Sequence, residues 1–306
     1  MSKPARFHRD ISGILLLDKA LGASSNAALQ QVRALFGAAK AGHAGSLDPL
    51  ASGLLPVCFG QATKVCGRLL SSGKTYRVLV ELGVRTESGD GETEVVERAA
   101  VPPLDDRAVD AALATFLGEQ EQVPPMHSAL KFEGKRLYEL ARRGETVERA
   151  ARKIVIHRIA RVRLAGKELE FDVYCSKGTY IRTLAADIAA RLGTLGCVRG
   201  LRRLSLDPFD NLPMYTMEQL DALQPPARDA VLLQADRAFL DLPRVELATL
   251  AVEGLLQGRT VAALQPAAPG ELRAYDVQGR FLGMVQGAPD GRVRPVRLFV
   301  DVVGPG

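Results

Sequence analysis

The chain has 306 residues and a mass of 32.9 kDa, about twice a typical ~150-residue domain, so one large or two unequal domains are expected. Hydrophobic residues make up 47% and charged residues 25%, a globular balance that excludes disordered, collagenous and coiled-coil proteins. The net charge of +5 is unevenly spread: residues 131–163 hold eleven Lys/Arg against four Glu, and residues 84–121 hold ten acids against three arginines. The acidic stretch reads as a solvated face. The basic one points to nucleic acid, because Arg forks bind phosphate bidentately and a local positive field steers polyanions.

In chain order, Met1 to Asp10 is polar and charged, with no signal-peptide core. No apolar run approaches the ~18 residues of a membrane span, so a soluble, cytoplasmic protein is expected. Gly13 to Asp18 reads as a buried strand. Ser24 or Ser25 caps a helix with Leu29, Val32, Leu35 and Phe36 on one face, ending at Gly37. A Gly-rich loop is expected over Gly42 to Gly60, a strand over Tyr76 to Leu82, and an amphipathic helix over Asp105 to Leu117. The basic segment starts after Pro124-Pro125 and ends in a strand at Ile154–Ile156. Glu168 to Cys175 reads as a strand and Tyr180 to Leu192 as a helix. This irregular order, without βαβ alternation, predicts an α+β fold with a mixed, largely antiparallel sheet. Gln224-Pro225-Pro226 reads as a surface break. After Asp241-Leu242-Pro243 the chain turns to short strands and many Gly and Pro, which predicts a small β-barrel-like domain. The division is therefore 1–240 and 241–306.

Four scattered cysteines and four histidines, with no C-x-x-C pair, offer neither a disulfide framework nor a zinc site. Gly73-Lys74-Thr75 lacks the upstream glycine of a P-loop and leads into a strand, and no G-x-G-x-x-G is present. The most unusual stretch is Gly42-His43-Ala44-Gly45-Ser46-Leu47-Asp48-Pro49-Leu50-Ala51-Ser52-Gly53-Leu54-Leu55-Pro56. Asp48, before a proline and between glycines, is presented on a constrained loop. Leu47, Leu50, Leu54 and Leu55 are expected to desolvate it partly, and a buried carboxylate needs a cation. With no second carboxylate nearby, the chemistry would be that of one carboxylate.

Residues Gly42–Lys64, Lys74-Thr75-Tyr76, Pro124-Pro125-Met126-His127-Ser128-Ala129-Leu130-Lys131, Gly178-Thr179-Tyr180-Ile181-Arg182 and Gly200-Leu201-Arg202-Arg203-Leu204 form five ordered blocks. Together they resemble the motifs of the TruB family of tRNA pseudouridine synthases, over roughly residues 11 to 210. The C-terminal 65 or so residues resemble the PUA-type RNA-binding domain of such enzymes by position and composition. The resemblance implies a cofactor-free isomerase that converts uridine 55 in the tRNA T loop to pseudouridine. It implies that Asp48 is the catalytic aspartate, Tyr76 the tyrosine stacking on the base, and Arg182 the cation paired with Asp48. His43 would contact RNA where the flipped nucleotide leaves, and Tyr180 and Leu201 would line the base pocket. Lys64, Lys131, Arg142 and Arg143 are the expected RNA-binding cations, the last three in an insertion at about 124–152 that closes over RNA.

Ala44, Ser46 and Ser52 stand where Thr is frequent in the family, and His127 where Tyr or Phe is usual. The expected partner is the T-arm stem-loop of tRNA, bound by a monomer without metal, membrane or obligate protein partner. Two competing readings share the basic sector. An RNA-binding or tRNA-folding module gives no reason for Asp48, Tyr76 and Arg182 together. A guide-RNA-dependent synthase would not need the extended insertion.

Overall fold

The apolar run after Gly13 forms β1 (Gly13–Lys19), buried along almost its whole length. α1 (Ser25–Phe36) follows, its first turn capped by Ser24 Oγ accepting the Ala27 amide, and Gly37 at φ +62° ends it. Leu29, Val32 and Phe36 of α1 pack with Leu15 and Leu17 of β1. These coordinates are a computed structural model describing residues 9–299 apart from 129 and 142; the side chains of Lys131 and Arg136 also lie outside the described set.

Next come β2 (Ala41–His43), β3 (Ala51–Phe59), α2 (Cys66–Leu70) and β4 (Lys74–Leu82). β5 (Val84–Thr86) and β6 (Val95–Arg98) pair as a small ribbon. α3 (Asp106–Ala114) is capped by the Asp105 carboxylate. The expected helix end at Leu117 falls short because Thr115, Phe116 and Leu117 make tighter i→i−3 bonds. β7 (Gly118–Gln122) leads to the basic segment, whose described residues before Arg152 form the two-residue strands β8 (Lys131–Phe132) and β9 (Lys135–Arg136) and the short α4 (Leu137–Ala141). Then come β10 (Arg152–Ala165), β11 (Glu168–Cys175), α5 (Ile181–Arg191) and β12 (Gly196–Leu206).

One eight-stranded sheet runs β1-β3-β12-β4-β11-β10-β7, with β2 also on β3. All its pairings are antiparallel except a short parallel contact of β12 with β3. The fold is therefore α+β with a mixed, largely antiparallel sheet. β4 alternates: Tyr76, Val78, Val80 and Leu82 face α3 and α5, whereas Arg77 pairs with Asp172 on the open face.

β3 lies inside the stretch expected as a loop. Its glycines and proline read as turn signals, yet each has a place in a strand. Pro56 falls between the end of the β12 pairing at Gly53 and the start of the β2 pairing at Val57, where a missing N–H costs least. Gly53, at φ +96°, lies under the crossing of β12: a Cβ there would stand 2.2 Å from the Arg203 carbonyl oxygen. β10 runs fourteen residues, far beyond the expected Ile154–Ile156. Arg161 pairs with Asp106 and Asp110, and Arg163 with Glu168 and Glu170. Part of the basic run is thus neutralised within the fold.

α6 (Met217–Ala222) and α7 (Pro225–Asp229) come next; the Pro pair expected as a break opens α7, where a missing N–H is tolerated. A separate five-stranded sheet, β13-β15-β16-β17-β14, is built from β13 (Arg244–Leu247), β14 (Val261–Ala262), β15 (Gly270–Asp276), β16 (Phe281–Gly287) and β17 (Arg292–Leu298), with α8 (Thr249–Leu256) packed on it. Tyr275, Phe281, Met284 and Phe299 from this part share one apolar cluster with Ile14, Leu54, Cys58 and Leu69. β1 and β3 are therefore covered on both faces, by α1 and by the C-terminal part, which is why neither strand alternates.

Candidate active site

The turn between β2 and β3 carries Asp48 and is held from several sides. Ser25 Oγ, at the start of α1, accepts the Leu47 amide at 2.7 Å and donates to the Leu47 carbonyl at 3.0 Å. The Gly22 amide donates to the Pro49 carbonyl, and Arg203 Nη2 to the Gly45 carbonyl at 2.9 Å. The loop's apolar residues do not enclose the carboxylate as expected. Leu47, Leu54 and Leu55 point into three different apolar clusters, leaving the Asp48 side chain 46% exposed in a cleft of about 1380 Å³. Such a volume exceeds the ~300–1,000 Å³ of ordinary small-ligand pockets and suits a segment of a larger molecule.

Arg182, in the first turn of α5, is buried and spans two carboxylates. Its Nη2 lies 3.1 Å from Asp48 Oδ2 and donates to the His127 carbonyl at 2.6 Å. Its Nη1 lies 3.3 Å from Asp90 Oδ2 and donates to the Ser88 carbonyl at 2.9 Å. Asp90 is the second carboxylate that the sequence reading missed. It is almost wholly buried and also accepts from Ser88 Oγ and the Glu92 amide. The stretch read as a solvated acidic face therefore contributes one acid to the interior of the site. The nearby Glu92 carboxyl is pushed up by burial first, then by the charges of Asp90 and Asp48.

Tyr76 and Leu201 lie in the apolar cluster that includes Leu47 and Ala51, directly under the loop. Burial pushes the Tyr76 phenol up, so it is protonated at neutral pH. Tyr180 is half-buried at the N-terminus of α5, where Gln122 clamps both its amide and its carbonyl. His43 lines the same cleft, and its Nδ1 has no hydrogen-bond partner. Burial, then the charge of Arg203, pushes its imidazole down, so the ring is neutral at pH 7.

The structure does not bring every expected residue to the cleft. Lys64 donates to the Leu298 carbonyl at 2.6 Å and lies over the Phe299 ring, fastening the C-terminal sheet instead of facing the cleft. Arg143 is exposed on the far wall, whose Tyr138, Ala141 and Gly144 line the cleft. Arg142 and the Lys131 side chain lie outside the described residues. Besides Asp90, sequence reasoning missed Ser25 and gave Arg203 no role. Arg203 stands in one of the five motif blocks, but nothing local marks it as buried. No group of three His, Cys, Asp or Glu among the described residues could hold a metal ion.

Comparison with known proteins fits this geometry. Residues 33–181 match the TruB family pseudouridylate synthase N-terminal domain, residues 182–240 the tRNA pseudouridylate synthase B C-terminal domain, and residues 243–299 the C-terminal domain of pseudouridine synthase II TruB. Proteins named tRNA pseudouridine synthase B are similar almost end to end. That of Methylobacillus flagellatus is 50% identical over 96% of this chain and 97% of its own, and that of Chromohalobacter salexigens 49% over 94% of each. A chain in the crystal structure of a Cbf5-Nop10-Gar1 complex superposes with a TM-score of 0.71, at 22% identity over 97% of this chain and 88% of that one. At that identity it speaks for the fold. A half-exposed carboxylate held by a buried arginine, on this sheet and with relatives this close, places the chain in the TruB family of pseudouridine synthases.

Proposed function

We propose that the protein converts uridine 55 in the T loop of tRNA to pseudouridine, with Asp48 as the catalytic carboxylate. The observation that carries this reading is Arg182, which takes Oδ2 of Asp48 while nearly half of that side chain stays open to the cleft. The carboxylate is thus aimed by a fixed cation and remains reachable by a substrate.

The target uridine is stacked in its loop and must be extruded into the cleft, at a cost of a few kcal/mol that stacking and hydrogen bonds in the pocket offset. Tyr76 and Leu201 supply the apolar surface for the base and Tyr180 its edge. Asp48 either attacks C1′ or removes the C2′ proton; in both routes the C1′–N1 bond breaks and the uracil is freed. The base turns and C5 bonds to C1′ as the Asp48–C1′ ester bond breaks or, in the second route, as C2′ takes back its proton; the C5 proton then leaves and N1 gains one, so the product is an isomer and no cofactor is consumed. RNA seated over the cleft keeps water from the intermediate. The neutral His43 faces RNA at the cleft mouth, and Lys131, Arg142, Arg143 and Lys64 are read as RNA-binding cations, Lys64 through its hold on the C-terminal part.

Residues 1–240 are read as the catalytic domain and 241–306 as an RNA-binding domain. The separate second sheet and the change of family match between 240 and 243 support that division. The protein is read as a stand-alone cytoplasmic monomer, in keeping with relatives named for tRNA modification. A purely RNA-folding role would use the basic wall but gives no reason to hold Asp48 and Asp90 on one buried arginine.

The test is to incubate the purified protein, without additives, with an unmodified elongator tRNA transcript and map pseudouridine by carbodiimide-induced reverse-transcription stops. A single stop at uridine 55 is expected. A blank map, or modification elsewhere alone, overturns the reading.

A further inference from the structure

The largest fully buried side chain among the described residues is Arg203, on β12, directly beneath the Asp48 loop. A guanidinium keeps its proton in proteins, so a full positive charge is held here out of water. The groups it hydrogen-bonds are neutral. Nε donates to the Leu54 carbonyl at 2.6 Å and Nη2 to the Gly45 carbonyl at 2.9 Å, and Tyr76 is its cross-strand neighbour, the guanidinium charge favouring the ionised phenol against the effect of burial. Lys19 and Lys74 are buried close by and add to the charge, their ammonium groups also donating to carbonyls.

Stability gives a weak reason for this arrangement, because a buried charge is often replaced by apolar side chains without loss. The two carbonyl partners of Arg203 and its cross-strand neighbour give a better one. Gly45 precedes Asp48 by three residues, Leu54 lies on the strand leaving the loop, and Tyr76 stands on the neighbouring β4 directly opposite Arg203. A planar fork is the one cationic side chain whose fixed geometry can hold several such acceptors at once; a lysine reaches them as a single point.

The geometry points to Arg203 as a positioning residue: its guanidinium sets the separation between the Asp48 loop and the Tyr76 phenol, so that both address the same base. This inference rests on the pseudouridine-synthase reading above. It assigns Arg203 no contact with substrate. Its effect passes through two groups that the reading places at the base, and it should therefore change the rate of the chemical step while leaving RNA affinity intact.

The test is a double-mutant cycle on the full chain: wild type, Arg203→Lys, Tyr76→Phe and the double variant. Single-turnover pseudouridine formation and tRNA filter binding are measured for each. Arg203→Lys is expected to slow the rate about tenfold or more with affinity within about twofold. In the Tyr76→Phe background its added effect should shrink by at least about threefold. Rate losses that simply multiply, or a wild-type rate for Arg203→Lys, overturn the inference. Gly45→Ala probes the same fork from the loop side, since a Cβ there would stand 3.2 Å from Arg203 Nη1. It should give the same split between rate and affinity, and it carries the cycle if Arg203→Lys does not fold; a wild-type rate again overturns the inference. The cycle is repeated in urea unfolding, which does not depend on activity. If wild type makes no pseudouridine, the functional reading fails, whereas absence of coupling between position 76 and the fork in urea fails the positioning role itself.

Discussion

The loop bearing Asp48 is tied down by Ser25, Gly22, Arg203 and Arg182, each bond reaching it from a different element. The opposite wall of the same cleft, residues 124–151, has two-residue strands and one short helix, and half of its described side chains are exposed. One link to the first wall is the His127 carbonyl on Arg182. Under the proposed function, the difference follows from what each wall has to do. A carboxylate acting at one carbon must be placed to a fraction of an ångström before substrate arrives. Phosphate contacts are less directional and sum over many cations, so the wall that supplies them can stay loosely built.

Replacing Arg182 by Met should break the ordered wall most severely. Asp90 would be left buried without its cation, a loss of about 3–5 kcal/mol, read as a lower urea midpoint together with loss of turnover. An unchanged midpoint would mean that the Asp48–Arg182–Asp90 arrangement does not hold this wall together. Ser25→Ala is a milder probe of the same wall. It removes both bonds to Leu47, at about 1–3 kcal/mol, and should lower the turnover rate while leaving tRNA affinity unchanged; a defect in affinity alone would put Ser25 on the RNA side.

For the loose wall the expected pattern is reversed. Neutralising Lys135 and Arg143, both exposed, should weaken tRNA binding and flatten its salt dependence by ~0.7–0.9 per lost phosphate contact, with turnover at saturation intact. An unchanged salt slope would make this wall an ordinary solvated surface. A further effect, read through pH, concerns Lys74, under the ordered wall, whose ammonium is pushed down to about 8 by burial and then by the charge of Arg203. Below pH 8 both folded and unfolded chains hold this proton. Between pH 8 and 10.5 only the unfolded chain does, so wild type should gain stability relative to Lys74→Met as pH rises through that window. A stability difference that stays flat with pH would show that Lys74 keeps its ordinary affinity for the proton.

The same contrast decides what could be read from the sequence. Asp48 and Arg182 are 134 positions apart, and their pairing was legible because each sits in a motif with a family likeness. The alternation of Tyr76 to Leu82 and the caps at Ser24 and Asp105 were legible from local chemistry alone. Asp90 was not, because Ser88-Gly89-Asp90-Gly91 has the composition of a surface turn, and its burial depends on Arg182 arriving from α5. Arg203 and Lys19 were hidden for a related reason: their partners are backbone carbonyls, and carbonyls leave no trace in a sequence. β3 was mistaken for a loop because Gly53 and Pro56 answer to strands crossing from elsewhere. Fold class followed from element order, whereas the supports of the site depend on contacts between distant segments.

The central claim is that one preorganised carboxylate carries the chemistry while many dispersed cations carry the binding. Tritium release from tRNA labelled at C5 of uridine, followed for wild type and Asp48→Asn beside their tRNA affinities, tests it most directly. The account predicts release by wild type without additives and none by Asp48→Asn, with affinities within about tenfold of each other. Sustained release by the Asn variant, or a loss of binding that explains its inactivity, would contradict it.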